Sequence, residues 1–372
     1  MNGVNSMVNS VTNRQLVFII FLTLTTYTTI DLPKIMAGTA GRSSWIPIII
    51  ASLIFGIAVV IITKLNNMYQ NKVLFDYSQE VVGKFFTYMI IIYLTIYFLI
   101  IGVHLKLKLV GLLQSNFLPY TPQPVMFLIG IALFGYVAHK GITNIARGFE
   151  IIGITFLIIT VGMCIFMLTE GMLYNALPLY NPADTKMFAE AVNDLVIPYS
   201  GIEVLFIIPF TAKNKKASKT AFFTLLFIGF FYVLIVESTF MILGVNNTIA
   251  LNDSFIEGIK IVEVPVLERT DIFYLTFGLT SLFAGMIIVF TAVTEFACRL
   301  FAKVKRYIIV VIVSVVFFIL CLFGLNIKDF NELFASYATI PMLVSSMLIP
   351  AILLIVAKLK KRAQRNKKGL AK

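Results

Sequence analysis

The stretch from Asn193 to Pro209 reads NDLVIPYSGIEVLFIIP and is apolar enough to enter a bilayer. Near its middle stand Pro198, Tyr199, Ser200, Gly201, Ile202 and Glu203. A proline removes an amide donor from a helix, and a nearby glycine allows dihedral angles that a helix does not use. We therefore predict a membrane span that is broken near its centre. The alternative is a continuous helix with a proline kink, in which Glu203 pairs with a neighbouring helix.

A break of this kind has consequences in lipid. The backbone groups that it frees must find partners inside the protein or on a bound ligand, because the hydrocarbon core offers none. An ionisable side chain at membrane depth is costly, so Glu203 marks a candidate functional site.

The composition places the chain in a membrane. Of its 372 residues 59% are hydrophobic and only 13% are charged, and the mean hydropathy is +0.94. These values exclude an ordinary soluble domain. We predict an all-α integral membrane protein with about ten spans. The spans are expected near 15–38, 45–63, 85–109, 123–139, 146–169, 193–210, 219–244, 272–298, 307–325 and 334–357.

The net charge of +12 reflects topology rather than nucleic-acid binding. Most basic residues fall in alternate loops and in the tail, so the positive-inside rule places both termini in the cytoplasm. We expect a cytoplasmic N-terminus over 1–14, one transmembrane domain over 15–357 and a basic cytoplasmic tail over 358–372. The tail would contact anionic headgroups, so the lipid bilayer is an expected partner and a nucleic acid is not.

Signatures of enzymatic chemistry are missing from the sequence. The three cysteines show no paired spacing, and no nucleotide loop, nucleophile elbow or metal-binding helix occurs. His104 and His139 lie near opposite faces and are expected to be interfacial polar residues. We predict that the protein is not an enzyme and has no cofactor and no metal site.

The first span also changes character near its middle. It contains the hydroxyl-rich run Thr23, Thr25, Thr26, Tyr27, Thr28 and Thr29, followed by Asp31 and Pro33. Threonine and aspartate favour helix caps, and proline favours the first turn, so a second half-helix should begin near Asp31. The alternative is a continuous kinked helix whose threonines bond to preceding carbonyls.

The broken spans are the first and the sixth of ten. In transporters built from two inverted five-helix repeats, the corresponding interrupted helices carry the binding site. The chain resembles the amino acid/polyamine/organocation superfamily, with its five-plus-five inverted-repeat, LeuT-like fold. The repeats would cover about 15–169 and 193–357. Within that superfamily, Leu32-Pro33, the segment 198–203 and Pro209 resemble the endospore germination permease family, the B subunits of germinant receptors.

Half-helices that meet at mid-membrane expose amide donors at one end and carbonyl acceptors at the other, which suits a zwitterion. Glu203 is expected to hold the unwound segment, with pairing to a ligand ammonium as the alternative, and Phe283 is expected to close an apolar side. The span-one segment lacks the glycine-rich turn of many relatives, which leaves a cationic or hydroxylated ligand open. The candidate ligand-binding residues are Thr25, Thr26, Tyr27, Thr28, Thr29, Tyr97, Pro198, Tyr199, Ser200, Gly201, Ile202, Glu203 and Phe283.

The resemblance implies a subunit that binds a small germinant, an amino acid above all, and signals to a membrane-embedded A subunit and a lipoprotein C subunit in the inner membrane of a bacterial spore. A secondary amino acid transporter is the alternative, and a structural subunit with a vestigial site is a third. Span five has no lysine between Arg147 and Thr169, which argues against proton coupling by the route used in relatives. Hydroxyls of span eight, Thr276, Thr280 and Ser281, could instead face span one and hold sodium, although such groups more often join helices.

The sequence also predicts two short loop helices and one ion pair. The sequence VLFDYSQEVVG should form a short cytoplasmic helix, and a second short helix should follow Asn252 and Asp253 outside. Glu295 and Arg299 are four residues apart and should form an intrahelical ion pair.

Overall fold

The computed structural model describes residues 11–26, 28–178, 180, 186–262, 270–327 and 330–369. Every regular element within these ranges is helical. Seven helices are long and apolar enough to cross a membrane, and a bent helix pair forms an eighth candidate span. A shorter apolar helix, Gln123–His139, accounts for the fourth predicted span. The chain is therefore a multi-pass helical membrane protein, as predicted.

The ten spans keep their predicted order. Span 1 is the pair Asn13–Leu24 and Thr28–Thr39, and span 6 comprises Phe188–Asp194, turns and the 3-10 helix Ile202–Ile207. The others are span 2 Trp45–Met68, span 3 Lys84–Asn116, span 4 Gln123–His139, span 5 Ile142–Glu170, span 7 Ala217–Leu243, span 8 Thr270–Leu300, span 9 Arg306–Asn326 and span 10 Phe330–Leu343 with the π-helix Val344–Leu348 and Ile349–Gly369. Short helices lie between them at Gly41–Ser43, Leu74–Val82, Leu173–Ala176, Ala212–Asn214, Val245–Ala250 and Ser254–Ile261.

Span 1 is broken, as predicted, and its two helices meet at 55°. The first half begins with a capping box between Thr12 and Gln15. The second half begins at Thr28, earlier than the predicted start near Asp31. Asp31 lies within the first turn instead, where a carboxylate favours the positive end of the helix dipole.

Span 6 is broken more completely than span 1. Its first helix ends at Asp194, and turns run on to Gly201, which has a left-handed φ of 111°. The segment that follows is a 3-10 helix rather than the expected second α-helical half. Pro209 lies just beyond it and has no amide hydrogen to donate to a helical hydrogen bond, so the segment stays short.

The packing follows the inverted repeat. Span 2 packs along span 7, span 3 along span 8 and span 4 along span 9, so equivalent helices of the two repeats meet. Span 1 lies between spans 5, 7 and 8. This arrangement buries both breaks at the centre of the bundle.

Both predicted loop helices are present, at Leu74–Val82 and Ser254–Ile261. The predicted pair between Glu295 and Arg299 is wrong. Arg299 binds Asp76 of the helix Leu74–Val82 at 2.8 Å, and Arg306 binds Glu295 at 2.6 Å. Carboxylates on adjacent elements compete with a neighbour on the same helix, and tertiary packing decides between them.

Candidate ligand site

A small cavity of about 80 Å³ lies between spans 1, 3, 6, 8 and 10, where the two breaks meet. Its polar lining is Thr23, Thr26, Thr28, Asp31, His104 and Ser200. Its remaining lining is Leu24, Leu32, Ile35, Phe98, Ile101, Leu105, Ile197, Pro198, Gly201, Val289, Phe334 and Met342. The site is therefore a small, mixed polar and apolar chamber at the break of each repeat.

Some of the predicted ligand-binding residues line this cavity and others do not. Those in its lining are Thr26, Thr28, Pro198, Ser200 and Gly201. Those outside its lining are Thr25, Thr29, Tyr97, Tyr199, Ile202, Glu203 and Phe283. Tyr27 lies outside the described residues.

Glu203 is fully buried behind the cavity and holds the break of span 6. One carboxylate oxygen accepts the amide of Gly201 at 2.8 Å. The other accepts the hydroxyls of Tyr97 at 3.2 Å and Ser345 at 3.0 Å. Ser345 belongs to the π-helix of span 10, so one carboxylate joins spans 3, 6 and 10. This arrangement matches the interpretation in which Glu203 holds the unwound segment.

Tyr232 of span 7 joins the two breaks directly. Its hydroxyl lies 2.8 Å from the carbonyl oxygen of Leu24 and 3.2 Å from that of Pro198. Leu24 ends the first half of span 1, and Pro198 lies in the turns of span 6. The one hydrogen of this phenol therefore lies within reach of the carbonyl ends of both interrupted spans. Sequence reasoning missed it, because a tyrosine in an apolar span gives no sign of which loop carbonyls it will meet.

The hydroxyls around the breaks are turned back onto the chain. Thr25 donates to Phe21 at 2.7 Å, and Ser200 donates to Ile197 at 2.8 Å. Thr26 lies 3.4 Å from the Thr23 carbonyl oxygen in the same manner. Since each hydroxyl has one hydrogen, these side chains present mainly lone pairs to their surroundings.

The two breaks and span 8 approach one another closely. A Cβ atom at Gly201 would lie 2.7 Å from Cγ2 of Thr23, and one at Gly285 of span 8 would overlap Thr26. Two glycines therefore permit the contact of span 6 with span 1 and of span 1 with span 8.

A charged pair stands at one edge of the cavity. Lys108 of span 3 binds Asp31 of span 1 at 3.0 Å, and their side chains are 22% and 26% exposed. His104 lies one turn before Lys108 and stacks on Phe334 of span 10 with ring centroids 3.9 Å apart. His104, which was predicted to be an interfacial polar residue, is one of the residues that line the central cavity. The signal was available: Tyr97, His104 and Lys108 share one face of span 3.

A larger pocket of about 560 Å³ adjoins the cavity between spans 1, 6 and 10. Its polar lining includes Asn193, Asp194 and Thr339. Ile35 and Ile197 line both this pocket and the cavity. These two isoleucines therefore lie where the cavity adjoins the larger pocket, which we call the vestibule.

Several residues that were predicted to contact a ligand or an ion make other contacts in the structure. Tyr199 is buried, stacks on Phe55 at 5.3 Å and donates to Ile48, and Phe283 packs against Phe134 at 5.9 Å. Thr276 and Thr280 are exposed and bond to carbonyls of their own helix. The expectation that these two threonines face span 1 is wrong, because the rotation of span 8 turns that side outward.

Comparison with known proteins identifies the family of this chain. The model of the spore germination protein family, a family of spore permeases, matches residues 10–329. Spore germination protein YndE of Bacillus subtilis (strain 168) is 23% identical over 363 residues, which cover 96% of this chain and 99% of that protein. Spore germination protein B2 of the same organism is 25% identical over 312 residues, or 82% of this chain and 83% of that one.

Two solved transporters have a similar fold. Mhp1, a nucleobase-cation-symport-1 family transporter in a closed conformation with bromovinylhydantoin bound, gives a TM-score of 0.64 at 14% identity, over 93% of this chain and 77% of that one. MhsT in complex with L-phenylalanine gives a TM-score of 0.63 at 12% identity, over 92% of this chain and 97% of that one. With the two broken spans and the family match, these likenesses lead to one conclusion: the chain belongs to the spore germination protein family of permeases and has the five-plus-five fold of membrane transporters.

Proposed function

We propose that this chain is the B subunit of a germinant receptor, which binds a small germinant, an amino acid above all, at broken spans 1 and 6. The observation that carries the proposal is the polar cavity lined by both breaks in a chain of this family. The protein senses its ligand and catalyses no reaction. It lies in the inner membrane of the spore with both termini in the cytoplasm, and signals to an A subunit in the membrane and a lipoprotein C subunit.

The cavity suits a sensor because its walls belong to separate spans. Thr26 and Thr28 come from span 1, Ser200 and Gly201 from span 6, and His104 from span 3. A ligand that contacts all three changes the relative free energies of their arrangements, provided that it binds one arrangement more tightly.

A chain of hydrogen bonds leads from span 6 to the cytoplasmic surface and supports the signalling part. Leu205 lies in the 3-10 helix, and its carbonyl accepts the Asn66 side-chain amide at 2.8 Å. Asn66 in turn accepts the hydroxyl of Tyr77 at 2.9 Å. Tyr77 belongs to the helix Leu74–Val82, which also binds span 8 through Asp76. A shift of the 3-10 helix would therefore reach a surface that partner subunits can contact.

The test separates binding from signalling. Spores would carry this chain with its A and C subunits, and amino acid-triggered germination would be measured beside amino acid binding to the purified chain. We expect Ser200→Val to reduce both, and Tyr77→Phe to reduce germination while binding is kept. Tyr136→Phe, at a side chain that is 64% exposed, is the matched control. The proposal fails if amino acids do not bind, or if germination continues after binding is lost.

A secondary transporter is the second candidate, because the cavity and its vestibule share the lining residues Ile35 and Ile197 and so adjoin one another. Uptake of radiolabelled L-alanine into proteoliposomes, with and without ion gradients, tests it. Saturable uptake that Ser200→Val abolishes would favour the transporter, and binding without uptake would favour the sensor.

A further inference from the structure

We propose that the cavity selects ligands that carry an ammonium group. Asp31 accepts the ligand ammonium, which displaces the ammonium of Lys108 from this carboxylate. This inference rests on the proposed function and names the chemistry by which the same cavity recognises its ligand.

The first observation is the position of Asp31. Among the described residues that line the cavity, Asp31 is the only acidic one, and His104 is the only other with an ionisable side chain. Lys108 binds Asp31 at 3.0 Å from outside this lining. Asp31 therefore lines the cavity, whereas its partner Lys108 does not.

The second observation concerns donors that a ligand carboxylate would need. The amide of Gly201, which the break of span 6 frees, is already bound to Glu203 at 2.8 Å. A protein carboxylate thus occupies the position at which a ligand carboxylate would meet this amide. The break of span 6 is accordingly a poor anion site.

The third observation concerns acceptors. The hydroxyl of Ser200 donates its hydrogen to Ile197, and that of Thr26 points to Thr23, so both present lone pairs to the cavity they line. With the Asp31 carboxylate, these groups make a surface that accepts hydrogen bonds. A cationic donor fits that surface better than an anion does.

Exchange of the Lys108 ammonium for a ligand ammonium at Asp31 should cost little free energy. Asp31 is 26% exposed and Lys108 is 22% exposed, so neither side chain is fully enclosed by the protein. A ligand ammonium that replaces Lys108 leaves the carboxylate paired, which avoids the large cost of an unpaired buried charge. Lys108 has a flexible four-carbon stem, so its ammonium can move away from Asp31.

The probes follow from the size of the cavity, about 80 Å³, which favours a small ligand. L-alanine carries an ammonium, a carboxylate and a methyl group. L-alaninamide keeps the ammonium and loses the carboxylate, and L-lactate replaces the ammonium by a hydroxyl. Binding to the full chain in lipid nanodiscs would be measured by calorimetry.

We expect L-alanine and L-alaninamide to bind the unaltered protein at least about tenfold more tightly than L-lactate. Asp31→Asn should remove this preference. Lys108→Met should raise the affinity for L-alaninamide by several-fold, because the competing ammonium is gone. Glu257→Gln, which breaks the exposed ion pair with Lys260 on the loop helix Ser254–Ile261, is the matched control and should change none of these affinities.

The two charge variants separate recognition from a structural ion pair. If the pair only supported the fold, Asp31→Asn and Lys108→Met would lower the melting temperature alike and leave the probe preference unchanged, which would overturn the inference. L-lactate binding as tightly as L-alanine would also overturn it while leaving the proposed function intact. If none of the probes binds the unaltered protein, the proposed function fails and the inference falls with it.

Discussion

The breaks of spans 1 and 6 occupy equivalent places in the two repeats but are stabilised differently. In span 1 both halves are α-helices, and the threonine hydroxyls at the break bond mainly to carbonyls of the same span. In span 6 the chain leaves the α-helix altogether, and Glu203 draws its partners from spans 3 and 10. The first break is supported mainly by local hydroxyls, with Tyr232 of span 7 as its tertiary donor, whereas the second is supported mainly by tertiary contacts. Substitutions should therefore be far more costly at the second.

The largest effect is expected for Glu203→Ala. The change leaves the Gly201 amide and the hydroxyls of Tyr97 and Ser345 without their shared acceptor in a buried site. We expect a loss of about 3 to 5 kcal/mol, because buried donors without partners cost about 1 to 3 kcal/mol each. Thermal unfolding in nanodiscs measures it. Glu203→Gln keeps one acceptor oxygen and should lose less; equal melting temperatures for both variants and the unaltered protein would contradict the tertiary origin of this break.

Gly201→Ala should come next. Its backbone has a φ of 111°, and the new Cβ would lie 2.7 Å from Cγ2 of Thr23. We expect a loss of about 1 to 3 kcal/mol from backbone strain, with an added steric term. The double variant with Thr23→Ala should recover the steric part only, as read from the melting temperatures. Full recovery would mean that the backbone conformation carries no cost.

Tyr232→Phe tests the link between the two breaks. The variant removes the hydroxyl near the carbonyls of Leu24 and Pro198 and changes nothing else in shape. We expect a loss of about 1 to 2 kcal/mol and faster amide hydrogen exchange in both interrupted spans. Tyr136→Phe serves as the exposed control. Faster exchange in one span only would show that the hydroxyl serves a single carbonyl.

Thr25→Val should have the smallest effect. The hydroxyl of Thr25 donates to the Phe21 carbonyl, which also accepts the Thr25 amide, so the carbonyl keeps a partner. We expect a change within about 0.5 kcal/mol in unfolding experiments, since the two side chains have nearly the same shape. A loss comparable to that of Gly201→Ala would show that this local hydroxyl bond contributes far more to the break than expected.

Much of the architecture was predictable from local chemistry. The order of the spans, the two breaks and both short loop helices follow from apolar runs, prolines, glycines and caps, which act over a few residues. The assignment of Glu203 to the unwound segment also followed, because a carboxylate inside a membrane needs donors. The start of the second half of span 1 was misplaced by a few residues, since Asp31 can serve in the first turn as well as at its cap.

The composition of the site was less predictable. Composition indicates that Tyr97, Tyr199 and Tyr232 lie in membrane spans, but helix rotation decides which of their hydroxyls meets a freed carbonyl and which meets Glu203. The same holds for His104 and for the pairs Arg299–Asp76 and Arg306–Glu295.

By itself, then, the sequence determined that this chain is a helical membrane protein with interrupted first and sixth spans, because hydropathy and backbone chemistry are local. Only the tertiary structure decided that Tyr232 joins the two breaks, that Asp31 lines the cavity whereas Lys108 does not, and that Phe283 lies elsewhere. Those outcomes depend on how helices far apart in the chain are rotated and packed, and that free energy is shared among many residues at once.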